Sequence, residues 1–326
     1  MRPLALFLII IIILWACFWW ISVQRTEDSV LNWFNRDKLI QERSYKKITT
    51  SGFPNRADLS IEDFFISDFQ QKNSLYIDLL QILTLIYRNN HFIFIFKPPV
   101  EIKLQQKNFQ INGPPIKSSL RIVKKTQLND LIAQGQNLQL KDPNNNIWTI
   151  SDFLFAAEKT TQNNPATYKT HLTINGINIP NDYLKITGDV SLDHQNIPKI
   201  TFDSNVQLEA KTFKTLRFHN FKVSNLELTI DWGLLTLNLA GDLNLVTENL
   251  INGSLELMVE DWQRALSMIQ IKNIVDKKLF KKIKPAITFL ASQASLEKKR
   301  LKLPINIYES NIYLGPLRIG KINLQK

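Results

Sequence analysis

The sequence predicts an α+β protein that is mainly antiparallel β, with one N-terminal transmembrane helix followed by a large β-rich domain with a few covering helices. Three observations predict this class. An uncharged apolar run opens the chain. Beyond it, apolar and polar residues alternate with period two through much of the sequence. Hydrophobic residues make up 44% and charged residues 21% of the 326 residues, which is typical of a chain that buries a core.

The apolar run extends from Leu4 to Val23 and contains no charged residue. About 20 such residues are enough for a helix to cross the hydrocarbon core of a bilayer. Trp15, Trp19 and Trp20 gather toward its C-terminal end, and indole rings favour the headgroup layer. We therefore expect residues 1–23 to form a signal-anchor whose three tryptophans are membrane-interface anchors, with the N-terminus in the cytoplasm.

The sequence allows two other interpretations of this apolar run. A cleaved signal peptide is less favoured, because no small-x-small site follows the run and the run is longer than a usual h-region. Leu14-Trp15-Ala16-Cys17 loosely resembles a lipoprotein cleavage box, but Trp15 is bulky where small residues are usual. A retained anchor is the expectation that fits best.

Residues 24–48 are predicted to form a juxtamembrane amphipathic helix. Residues 49–326 are then predicted to form a β-rich domain, with a possible sub-boundary near Asn163 in a polar stretch. Ser51-Gly52-Phe53-Pro54 supplies turn chemistry between the two regions. The helix is predicted from apolar residues spaced among charges, namely Val30, Trp33, Phe34 and Ile40.

Alternation is clearest between Val223 and Val259 and predicts an antiparallel meander with one apolar and one polar face. Breaks or bends are expected at Asp231-Trp232-Gly233, Gly241-Asp242 and Asn252-Gly253. The alternating apolar residues are Leu226, Leu228, Ile230, Leu235, Leu237, Leu239, Leu243, Leu245, Leu255, Leu257 and Val259.

Other segments are assigned from shorter patterns. Leu75 to Tyr87 is predicted to be helical, and Asp152 to Thr160 to be a short helix or a loop. Helices are also expected after Asp261, an apparent N-cap, and from Pro285 to about Leu296. Extended segments are predicted at Ala57 to Ile66, Phe92 to Leu104, Ser118 to Val123, His171 to Ile179, Ile186 to Leu192, Leu301 to Tyr308 and Ile312 to Leu324.

Neither charge nor motifs indicate catalysis. The formal net charge of +11 suits anionic partners, although a codon pool rich in Lys, Asn and Ile explains the same excess. Cys17 is the only cysteine, and the four histidines are far apart in sequence. No phosphate loop, nucleophile elbow or Cys/His constellation is present. We therefore predict no catalytic, cofactor-binding or metal-binding residue, no cofactor, and no nucleic-acid partner.

Two sets of residues are candidates for contact with lipid. Basic residues beside Leu279, Phe280 and Ile283 are candidate headgroup contacts: Lys277, Lys278, Lys281 and Lys282. If one face of the meander is an open groove, acyl chains would lie along an apolar row, Leu226, Leu228, Leu237, Leu243 and Leu257. If helices cover that face, the same row is an ordinary core.

Three function classes follow from these observations. The first is a non-enzymatic membrane-anchored protein that binds a lipid-like molecule in envelope maintenance. The second is a structural or scaffolding module that pairs with another envelope protein through an exposed sheet edge. The third is a hydrolase, which is disfavoured because no catalytic constellation is present.

A segment after the predicted helix, Gly52-Phe53-Pro54-Asn55-Arg56-Ala57-Asp58-Leu59, resembles a signature of an uncharacterised, mainly alphaproteobacterial envelope family, domain of unknown function 2125 (DUF2125). The resemblance implies an inner-membrane anchor with a periplasmic body, and a likeness to β-rich envelope proteins that handle lipid. It supplies no catalytic residue or ligand. Further segments agree in order: Leu85-Ile86-Tyr87-Arg88-Asn89-Asn90-His91, Lys117-Ser118-Ser119-Leu120, the strands near Gly241 and Gly253, Asp261-Trp262, Leu303-Pro304 and Leu314-Gly315-Pro316.

Overall fold

The computed structural model divides the chain into two compact units, unit 1 from Met1 to Asn145 and unit 2 from Asn146 to Lys326. Both units consist mainly of antiparallel β-sheet, and an apolar helix begins the chain, so the predicted fold class is confirmed. The structure describes residues 2–35, 41–68, 72–123, 127–160, 166–180, 196–208, 221–232, 235–247, 250–263, 265–266, 280–281, 283–285, 287–289 and 300–322.

The described residues of unit 1 form one long helix and eight strands. The helix is α1, Arg2–Asn35. The strands are β1 (Gln41–Ser44), β2 (Lys47–Ser51), β3 (Arg56–Asp68), β4 (Ser74–Leu85), β5 (Arg88–Leu104), β6 (Lys107–Asn112), β7 (Ile116–Val123) and β8 (Gln127–Lys141).

Helix α1 is long and apolar enough to span a membrane, from Leu6 to Asn35 by length and composition, and most of its apolar stretch is exposed. Its last turns differ, because Val30 and Phe34 pack on the sheet of unit 1. The predicted juxtamembrane helix is therefore part of α1, but its expected end at residue 48 is wrong. Strands β1 and β2 occupy residues 41–44 and 47–51, where their backbones pair with β3.

The sheet of unit 1 is centred on β3, β4 and β5, which pair in that order. Strand β5 also pairs with β6 and β7, and both of these pair with β8. The buried core lies between this sheet and the C-terminal turns of α1. It comprises Phe34, Ile61, Phe64, Ile77, Leu80 and Val100.

The segment predicted as a helix between Leu75 and Tyr87 is strand β4 as far as Leu85 and a turn after it, so that prediction is wrong. Its neighbours on both sides are strands, so it lies inside the sheet and carries apolar residues on both faces. A nearly continuous apolar run does not distinguish a helix from a central strand by periodicity. Opposite it, Pro98 and Pro99 lack N–H donors, and the register of β4 with β5 shifts between Ile77 and Leu79.

Where the structure describes it, unit 2 has nine strands, each paired antiparallel with the next, so it is one meander in sequence order. The predicted meander between Val223 and Val259 is confirmed as its centre. The strands are β9 (Ile147–Lys159), β10 (Ala166–Asn178), β11 (Asn196–Leu208), β12 (Phe221–Trp232), β13 (Leu235–Thr247), β14 (Leu250–Glu260), β15 (Arg300–Tyr308), β16 (Asn311–Leu314) and β17 (Leu317–Lys321).

Three local predictions differ from the structure of unit 2. The short helix or loop expected from Asp152 to Thr160 lies almost entirely in strand β9, which pairs with β10 along its length. The strands on either side of the predicted sub-boundary near Asn163, β9 and β10, both belong to unit 2, and the chain divides after Asn145 instead. The bends expected at Gly241 and Gly253 are positions inside β13 and β14.

The segment after β14 is helical where the structure describes it. Asp261 accepts a backbone hydrogen bond from Ala265 at 3.1 Å, and residues 262–263 and 265–266 are helical. Residues 283–285 and 287–289 are also helical, so this second helical region begins before Pro285, where the sequence placed its start. The predicted strand from Ile186 to Leu192 lies outside the described residues.

Gly241 offers a test of the register in unit 2. Its φ of 147° is disfavoured for other residues, and an added Cβ would lie 2.2 Å from the carbonyl oxygen of Ser254. We expect Gly241→Ala to lower the free energy of unfolding by about 2 kcal/mol. Thermal unfolding of the detergent-solubilised chain measures this change. Gly320→Ala is the control, because its Cβ would meet only Ile312 at 3.6 Å; equal effects of the two substitutions would contradict the strand register.

Candidate functional site

Register in unit 2 places apolar residues opposite one another over seven strands. Residues directly opposite in neighbouring strands project from the same face of a sheet. The central row therefore forms a single line across one face: Phe155, Leu172, Phe202, Leu228, Leu239, Leu257 and Leu303.

A second row runs beside the central row on the same face, two residues along each strand. Its members are Phe153, Ile174, Ile200, Ile230, Leu237, Val259 and Leu301. We call these two rows together the apolar face of unit 2.

The five leucines predicted as a lipid-facing row all project from this side of the sheet. Leu228 and Leu257 belong to the central row and Leu237 to the second row. Leu226 and Leu243 lie on the same side in the two adjoining lines, opposite Gly241 and Val223. The sequence therefore identified residues of one face, although they do not form one line.

One end of the apolar face is covered by helical residues. Leu301 is 1% exposed and Leu303 is 6% exposed, and both pack in a cluster with Ile283 and Ile287. Trp262 packs against this cluster and also against Val259. The covered-core expectation is therefore met for β14 and β15.

Toward β9 the apolar face is less enclosed. The eight residues that the two rows contribute from β9 to β12 are all partly exposed, and none belongs to a core cluster among the residues that the structure describes. Partly exposed aromatic and branched side chains in a continuous patch are typical of binding surfaces. These residues are Phe153, Phe155, Leu172, Ile174, Ile200, Phe202, Leu228 and Ile230.

A buried polar pair adjoins the central row. Thr170 and Ser204 are opposite each other in β10 and β11, with their hydroxyl oxygens 2.6 Å apart. Both side chains are buried, so each hydroxyl satisfies the other away from water. The pair fixes the register of β10 against β11 beside Leu172 and Phe202.

The opposite face of the meander is polar. Glu256 pairs with Lys302 and Glu260 with Arg300, each at 3.0 Å. Asn238 donates to Thr229 at 3.1 Å. Such cross-strand pairs are ordinary on a solvated sheet surface, and each contributes less than about 1 kcal/mol.

His171 on this polar face forms a line of hydrogen bonds that the sequence did not indicate. Its Nδ1 lies 2.8 Å from a carboxylate oxygen of Asp203, and its Nε2 lies 2.8 Å from the hydroxyl of Thr173. Asp203 and Thr173 lie on neighbouring positions of the sheet, so this order of groups arises from strand pairing. Catalysis by such a line would also need a substrate pocket and an oxyanion site beside it. An open cavity among the described residues lies in unit 1, and other residues line it.

Unit 1 contains that open cavity, of about 660 Å³. Its walls include Phe65, Tyr76, Glu101 and Lys141, which come together because they are opposite one another across the sheet. The hydroxyl of Tyr76 donates to Asp63 at 2.6 Å, and mainly this bond raises the pKa of Tyr76 to about 12. Tyr76 is therefore a fixed, protonated donor at neutral pH. Because acidic and basic side chains both line the cavity, its charge does not select a ligand.

The predicted interface tryptophans have different surroundings. The indole N–H groups of Trp15 and Trp19 donate to the carbonyl oxygens of Pro54 and Arg56, at 3.0 and 2.7 Å. Trp20 is 61% exposed. Two of the three indoles are thus hydrogen-bonded to the backbone at the start of strand β3.

Of the four candidate headgroup lysines, Lys281 lies on a helical turn and is exposed. Lys277, Lys278 and Lys282 lie outside the described residues. Among the residues that the structure describes, no group of three or more His, Cys, Asp and Glu side chains is placed to hold a metal ion.

The fold defines a class of protein: antiparallel β units that follow an N-terminal helix apolar enough to span a membrane. A family model described as "Uncharacterized protein conserved in bacteria (DUF2125)" matches residues 19–323, nearly the whole chain, and the chain belongs to this family. No curated protein and no solved structure matches it.

Removing one hydroxyl of the buried pair tests the packing beside the central row. We expect Thr170→Val to lower the free energy of unfolding by about 1–2 kcal/mol, because Ser204 loses its side-chain partner away from water. Thr170→Val with Ser204→Ala is expected to be less destabilising than the sum of the single substitutions. Thermal unfolding of the four proteins measures the coupling, and additive effects would show that the hydroxyls are not paired.

Proposed function

We propose that this protein is a non-enzymatic protein of the inner membrane, held by α1, whose β units lie in the periplasm. We further propose that the apolar face of unit 2 binds acyl chains of lipid-like molecules in cell-envelope maintenance. The observation that carries the proposal is the partly exposed part of that face in strands β9 to β12.

The size of this surface suits a chain molecule. Four neighbouring strands span about 14 Å between the outer two, and the two rows give a strip two side chains wide. Burying each methylene group contributes about 0.8 kcal/mol, so eight methylenes on this strip would supply about 6 kcal/mol. No polar partner is needed along an acyl chain, which fits a strip with no polar member.

Charge is consistent with a lipid that has an anionic headgroup. The chain carries 40 Lys and Arg against 29 Asp and Glu. Lys281 is exposed close in sequence to Ile283, which packs at the covered end of the apolar face. Basic residues on a protein that meets a membrane attract the phosphate groups of anionic lipids.

Charge on the apolar face is expected to abolish lipid binding. Leu228→Glu would place a carboxylate in the central row, and we expect at least a tenfold loss of lipid that remains with the detergent-extracted protein, measured by mass spectrometry. Thr229→Glu is the matched control, because the neighbouring residue of β12 projects from the polar face. The proposal fails if wild-type protein retains no more lipid than an unrelated single-span membrane protein.

Photo-crosslinking compares positions 228 and 229 without introducing a charge into the sheet. With p-benzoylphenylalanine in place of Leu228, we expect crosslinks to lipid in intact membranes; in place of Thr229, we expect few. Crosslinks from position 228 to a protein in place of lipid would contradict the proposal.

Topology is tested separately. Alkaline phosphatase fused after Lys326 is expected to be active, because the enzyme folds only in the periplasm. A fluorescent protein that folds only in the cytoplasm is the complementary fusion. Activity of the second fusion alone would overturn the proposed orientation.

A further inference from the structure

The turn between β2 and β3 is held against the middle of the apolar helix. Trp15 and Trp19 donate hydrogen bonds to the backbone of this turn at Pro54 and Arg56. The ring of Trp19 also meets the ring of Phe53 edge-on, with centroids 5.3 Å apart. Three contacts on two successive helical turns fix the height of this turn along α1.

With the turn at this position along α1, the sheet of unit 1 cannot lie clear of a bilayer that α1 spans. Trp15 lies eight residues before Val23, about 12 Å along the helix. If the membrane ended before Trp15, the run from Leu4 to Leu14 would supply only about 16 Å of apolar helix, roughly half of a hydrocarbon core of about 30 Å. A spanning α1 therefore brings Trp15 and Trp19 to the headgroup layer or below it, and the turn with them.

The direction of α1 shows which end of the sheet faces the membrane. Trp19 contacts the start of β3 at Arg56, whereas Trp33 stacks on Phe64 with ring centroids 6.2 Å apart. The helix advances about 21 Å between Trp19 and Trp33, and the strand about 26 Å between Arg56 and Phe64. Strand β3 therefore runs beside α1 in the same direction, and its residue 56 end is the end nearest the membrane.

A second turn lies at the same end. The backbone N–H of Ile86 donates to the carbonyl oxygen of Asn55 at 3.2 Å, which joins the β4–β5 turn to the β2–β3 turn. Phe53 is 57% exposed and Tyr87 is 60% exposed, and Arg88 is exposed beside them. Exposed aromatic rings with a neighbouring arginine are typical of protein segments at the membrane interface.

We propose that unit 1 stands on the bilayer, with the turns at residues 52–55 and 86–87 inserted into the lipid headgroup layer. Phe53 and Tyr87 enter the interface, Trp20 faces lipid from α1, and Arg88 meets phosphate groups. The guanidinium of Arg56 lies 2.7 Å from the carboxylate of Asp58, so this arginine is paired within unit 1. The inference rests on the proposed anchoring by α1 and is independent of lipid binding by the apolar face of unit 2.

Spin labels measure the depth of each turn in the full chain. In a Cys17→Ser background, single cysteines replace Phe53, Tyr87, Leu104 or Ile10, and each protein is reconstituted into vesicles of phosphatidylethanolamine and phosphatidylglycerol. Leu104 is the matched control, because it is an exposed apolar residue at the other end of β5, about 50 Å from Arg88. Ile10 is the reference for the spanning helix.

Power saturation with oxygen and with a water-soluble nickel chelate separates the outcomes. The ratio of oxygen to chelate collisions rises with depth in the bilayer, so we expect it to be lowest at position 104, highest at position 10, and clearly intermediate at positions 53 and 87. If position 10 is deep in the bilayer and positions 53 and 87 behave like 104, the inference is wrong while anchoring stands. If position 10 is itself accessible to the chelate, both the anchoring and this inference are overturned.

Discussion

Antiparallel backbone pairing in a fixed register is the constraint on which the rest of this structure depends. In unit 2 every strand pairs with the next along the chain, so each strand keeps its alternating residues on the same side as its neighbour does. A slip of one residue would move a whole strand's apolar residues to the polar face. Gly241 and Gly253 maintain this register, because the neighbouring backbone leaves no room for a Cβ at either position.

The two units use their apolar faces differently. In unit 1 the C-terminal turns of α1 fill the face, and Phe34 and Phe64 are both nearly inaccessible to water. In unit 2 helical residues fill the end near β15, and the part in β9 to β12 keeps partly exposed aromatic and branched residues. In unit 1 a helix covers the apolar face of the sheet. In the described residues of unit 2, helical residues cover only part of the apolar face. This difference is the physical basis for the proposal that unit 2 binds lipid.

Groups that resemble catalytic machinery arise here from the sheet itself. The line of Asp203, His171 and Thr173 follows from two cross-strand neighbours and one residue two positions along the same strand. It lies on the polar face, away from the apolar rows. The hydrogen bond between Tyr76 and Asp63 in unit 1 likewise joins side chains of adjacent strands. Polar ladders of this kind stabilise pairing, and the apolar face remains the surface that distinguishes unit 2 chemically.

The sequence by itself determined the apolar helix, the predominance of antiparallel strands and the meander around Val223 to Val259, because length, composition and period-two alternation are local properties. It also identified five leucines of one sheet face, since residues two apart on a strand share a face. Only the tertiary structure decided that Leu75 to Leu85 is a strand, because pairing with β3 and β5 overrides an ambiguous local pattern. Only the tertiary structure showed that Phe155, Leu172 and Phe202 lie in one row with Leu228. It also showed that Trp15 is hydrogen-bonded to Pro54. Register and packing bring these residues together although they are far apart in the chain.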